Sequence, residues 1–168
     1  MGTRGHFGFR YKKKYYMIYN HFDSYFEGLG KDLLEEIKEM INNNQFDEWL
    51  SLFLQLKFVK EEDMPTDEDI EKCKEYYDDR VGYRTPYNYY NLLRKCQGSF
   101  IKVLKSGYAV LVNGSLKNDL FIEYCYVLDF DEKEFYTSHN NIIRCYSLKD
   151  ILNVTELVEL SLDDILDN

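Results

Sequence analysis

The densest group of side chains able to do chemistry is the run Asn20-His21-Phe22-Asp23-Ser24-Tyr25. It holds the residue types of a Ser-His-Asp hydrolytic site, whose members must converge in space. Consecutive residues of an extended chain point to opposite faces, which favours a loop whose Asp23 or Ser24 binds nearby backbone amides. A ligand-binding pocket is the functional alternative, and its candidate residues are Arg4, Asn20, His21, Asp23 and Tyr25.

Thr3 supports a second enzymatic hypothesis. N-terminal-nucleophile hydrolases expose a Thr, Ser or Cys at the start of a β-strand and use its own α-amine as the base. Cleavage after Gly2 would give Thr3 this setting, and an α-amine with a pKa of roughly 8 suits the task. The sequence assigns no lysine or oxyanion partner to Thr3, so a small hydrolase of this type is the alternative to a non-catalytic protein.

The run Gly28-Leu29-Gly30-Lys31 leads directly into a predicted helix. Free amides at a helix start, together with a glycine and a lysine, can hold an anion. The spacing matches neither a P-loop nor a dinucleotide fingerprint, so we interpret these glycines as residues that turn the chain.

Tyrosines and arginines concentrate between residues 76 and 94. They are Tyr76, Tyr77, Arg80, Tyr83, Arg84, Tyr87, Tyr89, Tyr90 and Arg94. Both residue types are enriched at protein interface hot spots. Asp78 and Asp79 oppose a strand of phosphates, so a core face or a protein interface is favoured over a nucleic-acid site.

The first half of the chain predicts a β-hairpin followed by helices. Its predicted elements are strands at His6–Tyr11 and Tyr15–Tyr19 around a Lys12–Lys14 turn, a loop over Asn20–Gly30, a helix from Leu33 to Ile41 ended by Asn42-Asn43-Asn44, and a buried helix over Phe46–Val59. Thr66 and Asp69 then predict a helix entry like a capping box.

The second half predicts further helices and a second hairpin. Its predicted elements are a helix opened by Thr85-Pro86 and stopped near Gly98, a helical turn over Phe100–Leu104, a strand over Tyr108–Val112 ending in the Asn113-Gly114 turn, a strand over Phe121–Phe130, a turn at Asp131–Lys133, a return strand over Phe135–Thr137, and a short helix capped by Ser147 or Asp150. Strands at both ends with helices between them predict a single α+β domain over residues 1–168, with helices packed on a largely antiparallel sheet built from the two hairpins.

The charge distribution restricts the partners. The net charge of −9 repels phosphate and disfavours nucleic acid. Residues 1–21 carry five basic side chains and no acid, which suits an acidic protein partner or the acidic segments of a second copy. Abundant tyrosine predicts that some of it is buried in a homodimer.

Cofactor, metal and membrane classes are all disfavoured. The four cysteines, Cys73, Cys96, Cys125 and Cys145, form no CxxC pair, so we expect free thiols and neither a metal nor a cofactor. The longest apolar stretches, Trp49–Leu54 and Tyr124–Leu128, are far too short to span a bilayer.

Several motifs resemble one uncharacterised family. They are Met1-Gly2-Thr3-Arg4-Gly5, Tyr19–Tyr25 with Gly28-Leu29-Gly30, Leu92-Leu93-Arg94 with Gln97-Gly98, Ser106-Gly107-Tyr108, and Glu123–Asp129. This family is found in large DNA viruses of amoebae, such as the marseilleviruses, with fungal and phage relatives. Its members often have proline at the position of Phe26. The resemblance implies a viral origin, and so a location in the cytoplasm or nucleus of the infected host or in the virion, but it implies no activity.

The sequence therefore predicts a non-catalytic viral protein, a homodimer, that acts through protein–protein contacts. The alternatives are a hydrolase using Thr3 and a ligand-binding pocket at the Asn20–Tyr25 loop. The first hairpin should also bring Arg4 within reach of Asp23, a charge-assisted contact able to fix this loop.

Overall fold

The computed structural model describes residues 2–80 and 86–158. Within these ranges one sheet contains β1 (Gly5–Tyr11), β2 (Lys14–Asn20), β3 (Lys57–Val59), β4 (Tyr108–Val112), β5 (Tyr124–Asp129), β6 (Glu134–His139) and β7 (Ile142–Ser147). The strand order is β3-β4-β2-β1-β5-β6-β7. The β1–β5 and β3–β4 pairs are parallel and the other pairs are antiparallel. The predicted α+β class and the largely antiparallel sheet are confirmed.

The helices lie between the two hairpins, except for one 3-10 turn that follows β7. They are α1 (Lys31–Asn42), α2 (Phe46–Leu54), α3 (Asp67–Cys73), α4 (Tyr89–Leu92) and α5 (Phe100–Ser106), with a π-helical turn at Phe26–Gly30 and 3-10 turns at Lys74–Tyr76, Arg94–Cys96 and Ile151–Asn153. The helix predicted from Leu33 to Ile41 is confirmed, and so is the capping box, in which the Thr66 hydroxyl accepts from the Asp69 amide.

The first hairpin is confirmed, and its turn is bound to the second hairpin. Lys12 and Lys13 both have positive φ angles, 48° and 65°, the conformation that matches the twist of antiparallel strands in a two-residue turn. Their backbone amides donate to the carboxylate of Asp131 at 2.8 and 2.9 Å. Since Asp131 follows β5, the turns of the two hairpins are held side by side.

The helices cover one face of the sheet with an aromatic core. Phe9 of β1 lies with its ring centroid 5.3 Å from both Phe53 of α2 and Phe100 of α5. The residues 113–123 contribute to the other face, where Leu116 packs with Met17 and with residues of β5. All six residues of β5 are buried as a result.

A buried carboxylate joins three elements of this core. Asp69 accepts hydrogen bonds from the Thr66 amide at 3.1 Å and the Tyr89 hydroxyl at 2.8 Å, and also from the Tyr108 hydroxyl. Burial alone would raise the pKa of Asp69, but these hydrogen bonds outweigh it and hold the pKa well below its ordinary value. Burial and the bond to Asp69 raise the pKa of Tyr89 to about 12. The network therefore connects α3, α4 and β4 through an ionised group.

Two predicted helices are corrected. The buried helix over Phe46–Val59 ends at Leu54, because the chain then pairs with β4 as the short strand β3. Its exposed fractions of 59% at Leu54 and 41% at Phe58 also contradict burial on nearly every face. The helix predicted to open at Pro86 begins at Tyr89, because the Asn88 side chain caps it by accepting from the Asn91 amide; Thr85 lies outside the described residues.

The second half contains a chain crossing and a strand that the local pattern did not predict. Strand β4 ends before Asn113-Gly114, as predicted, and residues 113–123 then cross to β5. The Ser138 hydroxyl donates to the Leu116 carbonyl and helps hold this crossing segment on the sheet. The short helix predicted to follow Ser147 or Asp150 forms as the 3-10 turn Ile151–Asn153, with Asp150 at its N-cap position but without a side-chain cap hydrogen bond. Strand β7 precedes this turn and was not predicted; the chain reaches β7 through Asn140 and Asn141, whose φ angles are 54° and 59°.

Candidate functional site

The five predicted binding residues are divided between two places. Asn20, Asp23 and Tyr25 line a surface groove of about 360 Å³, whose opposite side includes Gln97, Gly98, Ser99 and Lys102. Arg4 and His21 are not among the residues that line it. Arg4 precedes β1 and His21 follows β2, so the Gly5–Asn20 pairing at this end of the hairpin places them near one another.

Asn20 supports the loop and is not presented to a ligand. Only 6% of this residue is exposed. Its side-chain amide donates to the Phe22 carbonyl at 2.7 Å and to the Ser24 hydroxyl at 2.9 Å. Two further hydrogen bonds hold Ser24. The Tyr126 hydroxyl donates to the Ser24 carbonyl at 2.7 Å, and the Ser24 amide donates to the Thr3 carbonyl. These contacts explain the shape of the loop without a ligand.

Replacing Asn20 by alanine is expected to lower the free energy of unfolding by about 2 kcal/mol, because both hydrogen bonds of the side-chain amide are lost. Chemical denaturation measures this change. Asn113→Ala provides the matched control, since Asn113 is exposed. Equal effects of the two substitutions would show that the Asn20 side chain does not support the loop.

The glycines after Asp23 turn the chain. A Cβ atom at Gly28 would lie 2.3 Å from the Asp23 carbonyl oxygen, so only glycine fits there. The amides of Gly28 and Gly30 donate to the Tyr25 carbonyl at 3.1 and 3.2 Å. Because these amides are already bound, the interpretation of the glycines as a turn describes this segment better than an anion site.

The predicted contact between Arg4 and Asp23 is not formed. In residues 2–80 and 86–158 the ion pairs are Arg10–Asp129, Lys74–Glu71 and Arg80–Asp78. Asp23 is exposed and has a positive φ of 55°. The loop is fixed by neutral hydrogen bonds around Asn20 and Ser24 instead of by an ion pair.

The side chains of Tyr19 and His21 form a hydrogen-bonded pair, and the charges of Arg4 and Arg94 affect the pKa values of both groups. The Tyr19 hydroxyl and His21 Nδ1 are 2.7 Å apart. Partial burial lowers the pKa of His21, and the charges of Arg94 and Arg4 lower it further. Burial raises the pKa of Tyr19, while the same two arginines oppose that rise. Burial and the two nearby arginine charges therefore act in the same direction and disfavour protonation of His21.

Gln97 fixes the position of Arg94. Its side-chain oxygen accepts from the His21 amide at 3.1 Å and from the Arg94 guanidinium at 3.0 Å. The Arg94 guanidinium also lies 5.6 Å from the ring centroid of Phe22, within the range of a cation–π contact. The end of β2 and the 3-10 turn Arg94–Cys96 are thus joined at one surface.

We name this patch the Arg4–Arg94 surface and define it by Arg4, His21, Phe22 and Arg94. Neither arginine belongs to an ion pair in the part of the chain that the structure describes. Half of Phe22 is exposed. The Glu123 amide donates to the Arg4 carbonyl at 3.0 Å, which fixes the backbone of Arg4 against the end of the 113–123 segment. The result is a basic surface with aromatic neighbours on an acidic protein.

Sequence reasoning found Arg4 and His21 but did not connect them to Arg94. Arg94 was grouped with the tyrosines of residues 76–94, and their roles differ in the structure. Tyr89 is buried, Tyr87 is exposed, and the Tyr90 ring lies 6.4 Å from the Tyr19 ring. Tyr83 and Arg84 lie outside the described residues. The adjacent Gln97-Gly98 was the available signal, since Gly98 has a φ of 92° and directs the chain back towards Asn20.

The cysteines are free thiols, and Cys145 is the exposed member of the four. Burial raises the pKa of both Cys96 and Cys125 to about 12. Among the described residues no three His, Cys, Asp or Glu side chains are grouped so that they could hold a metal ion. Over the same ranges no helix has the length and hydrophobicity needed to cross a membrane.

Comparisons with known proteins supply no family. No family model matches the chain, and the comparisons with curated proteins and with solved structures gave no match. The resemblance to a family of amoebal DNA viruses, and the viral origin that it implies, therefore stay predictions.

The pKa of His21 is expected to lie below about 6.5, the ordinary value for histidine, and to rise in Arg94→Gln because one of the opposing charges is removed. An NMR titration of the imidazole ring measures both values. Arg144→Gln removes the same charge from β7 and should leave the titration of His21 unchanged. An unchanged pKa in Arg94→Gln would show that Arg94 does not act on His21.

Proposed function

We propose that this protein is a non-catalytic interaction module that binds an acidic segment of a protein partner through the Arg4–Arg94 surface. The observation that carries this proposal is the pair of arginines, Arg4 and Arg94, that have no carboxylate partner among the described residues, in a chain with a net charge of −9. Two guanidinium groups at one surface, without an acid bound to them in the described ranges, favour binding of an anionic partner.

Carboxylates are the groups that this chemistry suits. A guanidinium donates two parallel hydrogen bonds to a carboxylate, and such charge-assisted bonds are stronger than neutral ones. Phe22 supplies exposed apolar area beside Arg94. Arginine next to an aromatic ring is a combination enriched at interface hot spots. An acidic segment with an apolar side chain next to its carboxylates would use both parts of the surface.

Nucleic acid is a weaker fit for the same surface. Binding a phosphate backbone depends on several basic side chains acting together. The Arg4–Arg94 surface offers two arginines, and Glu61 is close enough to help raise the pKa of Tyr19. The overall negative charge also repels a polyanion at longer range. A discrete pair of carboxylates avoids most of this repulsion.

The setting of this activity is a separate proposal. The resemblance to proteins of amoebal DNA viruses supports a role in the infected cell or the virion, where the acidic segment would belong to a host or viral protein. The proposed binding mode does not depend on that setting.

NMR mapping with a defined probe tests the proposed function. The probe is a synthetic peptide of alternating glutamate and leucine, and the control is the same peptide with glutamine. We expect the glutamate peptide to shift the resonances of Arg4, His21, Phe22 and Arg94 and to raise the pKa of His21. If the shifts fall elsewhere, or if the glutamine peptide produces the same shifts, the proposal is wrong.

A further inference from the structure

A second basic and apolar surface lies beside the turn of the first hairpin. It is a groove of about 250 Å³, and we name it the lysine groove. The residues that line it are Tyr11, Lys12, Lys14, Tyr16, Phe53, Leu54 and Phe58. The floor of the groove is formed by apolar and aromatic side chains, and two of these, Leu54 and Phe58, are exposed to solvent. The Phe58 ring stacks on the Tyr16 ring with centroids 4.8 Å apart, which gives the groove a fixed aromatic wall.

Lysines border this apolar floor on the side of the hairpin turn. Lys12 and Lys14 line the groove, and Lys13 lies between them in the chain. All three are exposed, and none belongs to an ion pair in the described ranges. Asp131 is the acid bonded to this turn, and its carboxylate accepts from the backbone amides of the turn. Three lysines against one bonded carboxylate leave this end of the groove positively charged.

We propose that the lysine groove binds the acidic segment 159–168 of a second copy of this chain. The sequence of this segment contains four acids, Glu159, Asp163, Asp164 and Asp167, and neither lysine nor arginine. Leucine and isoleucine residues are interleaved with these acids. The acids complement the charge of Lys12, Lys13 and Lys14, and the apolar side chains match Leu54 and Phe58.

Segment 159–168 reaches the lysine groove of a second copy more easily than the groove of its own chain. Val158 lines a small cavity beside His139. The register of the sheet puts His139 level with Tyr124 and Gly5, so it lies at the opposite end of β1 from the Lys12–Lys13 turn. Strand β1 alone, with seven residues, covers about 23 Å at ~3.3 Å per residue. Ten residues reach at most roughly 36 Å when fully extended, which leaves little length to pass around the molecule.

Reciprocal binding of this kind would give a closed dimer. Each copy would offer one groove and one acidic segment, so a two-fold arrangement fills both grooves and leaves none open. This surface is separate from the Arg4–Arg94 surface, and the dimer does not depend on the function proposed for that surface.

Charge exchange on the full chain tests the proposal. The first variant, Lys12→Glu/Lys14→Glu, reverses the groove, and the second, Asp163→Lys/Asp164→Lys, reverses the segment. Sedimentation should show that the unmodified protein is a dimer and that each variant alone is a monomer. We expect each variant to weaken dimerisation by roughly 1,000-fold, because the dimer contains two groove–segment contacts and four charges are reversed at about 1 kcal/mol each.

Mixing the two variants is the decisive arm. In the mixture each segment meets a groove of opposite charge, so a one-to-one heterodimer should form. Lys105→Glu/Lys149→Glu reverses two exposed lysines elsewhere and should remain a dimer. Circular dichroism confirms that each variant is folded, and Leu54→Ser tests the apolar floor without changing charge.

Three results would overturn the proposal. A monomeric unmodified protein would mean that no second copy is bound. Dimers that survive in either charge-reversed variant would place the interface elsewhere. Displacement of the dimer by a single-stranded oligonucleotide, with loss of oligonucleotide binding in Lys12→Glu/Lys14→Glu, would identify the groove as a nucleic-acid site.

Discussion

Replacing both Arg4 and Arg94 by glutamine is expected to reduce the affinity for the glutamate-leucine peptide by roughly 100-fold. Each arginine that pairs with a carboxylate contributes about 1.5 kcal/mol through charge-assisted hydrogen bonds, and two such losses approach 3 kcal/mol. Arg94 also loses its contact with Phe22, so Arg94→Gln should have the larger single effect. Fluorescence anisotropy of the labelled peptide measures these affinities.

A control variant must separate the effect of net charge on peptide binding from the effect of where the charges lie. The control variant Arg144→Gln/Lys149→Gln removes one positive charge from β7 and one just after it. Its net charge therefore changes by the same amount as that of Arg4→Gln/Arg94→Gln. We expect this control to bind the peptide within a factor of about two of the unmodified protein. Strand β7 lies three strands away from β1 in the sheet, about 14 Å at ~4.8 Å per strand, and charges beyond a Debye length of about 8 Å are largely screened. If control and test variants weaken binding equally, the peptide responds to net charge and the Arg4–Arg94 surface is not its site.

Asp69→Ala is expected to have the largest effect on stability. The substitution leaves the hydroxyls of Tyr89 and Tyr108 without their carboxylate acceptor inside the core and removes half of the capping box with Thr66. Buried hydrogen bonds to an ionised group are strong, so we expect the free energy of unfolding to fall by about 3 kcal/mol. Asp67→Ala, at an exposed position in the same helical turn, should cost less than about 1 kcal/mol.

The pH dependence provides a second measure of the same group. The folded protein holds the pKa of Asp69 below its unfolded value. Its contribution is therefore complete above the unfolded pKa of about 4 and is lost as the pH falls through the folded pKa. The stability difference between the unmodified protein and Asp69→Ala should shrink as the solution becomes acidic. A difference that stays constant to low pH would mean that Asp69 is not ionised in the fold.

Local patterns predicted most of the elements. The Thr66–Asp69 capping box, the helix ended by three asparagines and both hairpins depend on neighbouring residues, and all four are present. The errors arise where tertiary pairing overrides local pattern. β3 is three residues of an apolar run that becomes a strand because β4 is available to pair with it. The Asn140-Asn141 turn was a local signal for β7 that went unused.

The candidate site was harder to predict from the sequence than the helices and strands. Arg4 and His21 join at the open end of the first hairpin, and the sequence places them there through the pairing of two short strands. Arg94 reaches the same surface from 73 positions beyond His21 through Gln97. Gln97-Gly98 indicates a turn of the chain there, but it does not identify His21 as the partner of Gln97. Asn20 has the polar side chain of a binding residue, but only the structure shows that its bonds are used within the loop.

Charge reversal at the Arg4–Arg94 surface tests the central claim most directly. In Arg4→Glu/Arg94→Glu, the glutamate-leucine peptide should no longer bind, and a lysine-leucine peptide of the same length should bind where it did not before. That reversal follows only if carboxylates pair with these two side chains. If the glutamate-leucine peptide binds the reversed protein as tightly as the unmodified one, the Arg4–Arg94 surface is not where this protein binds an acidic partner.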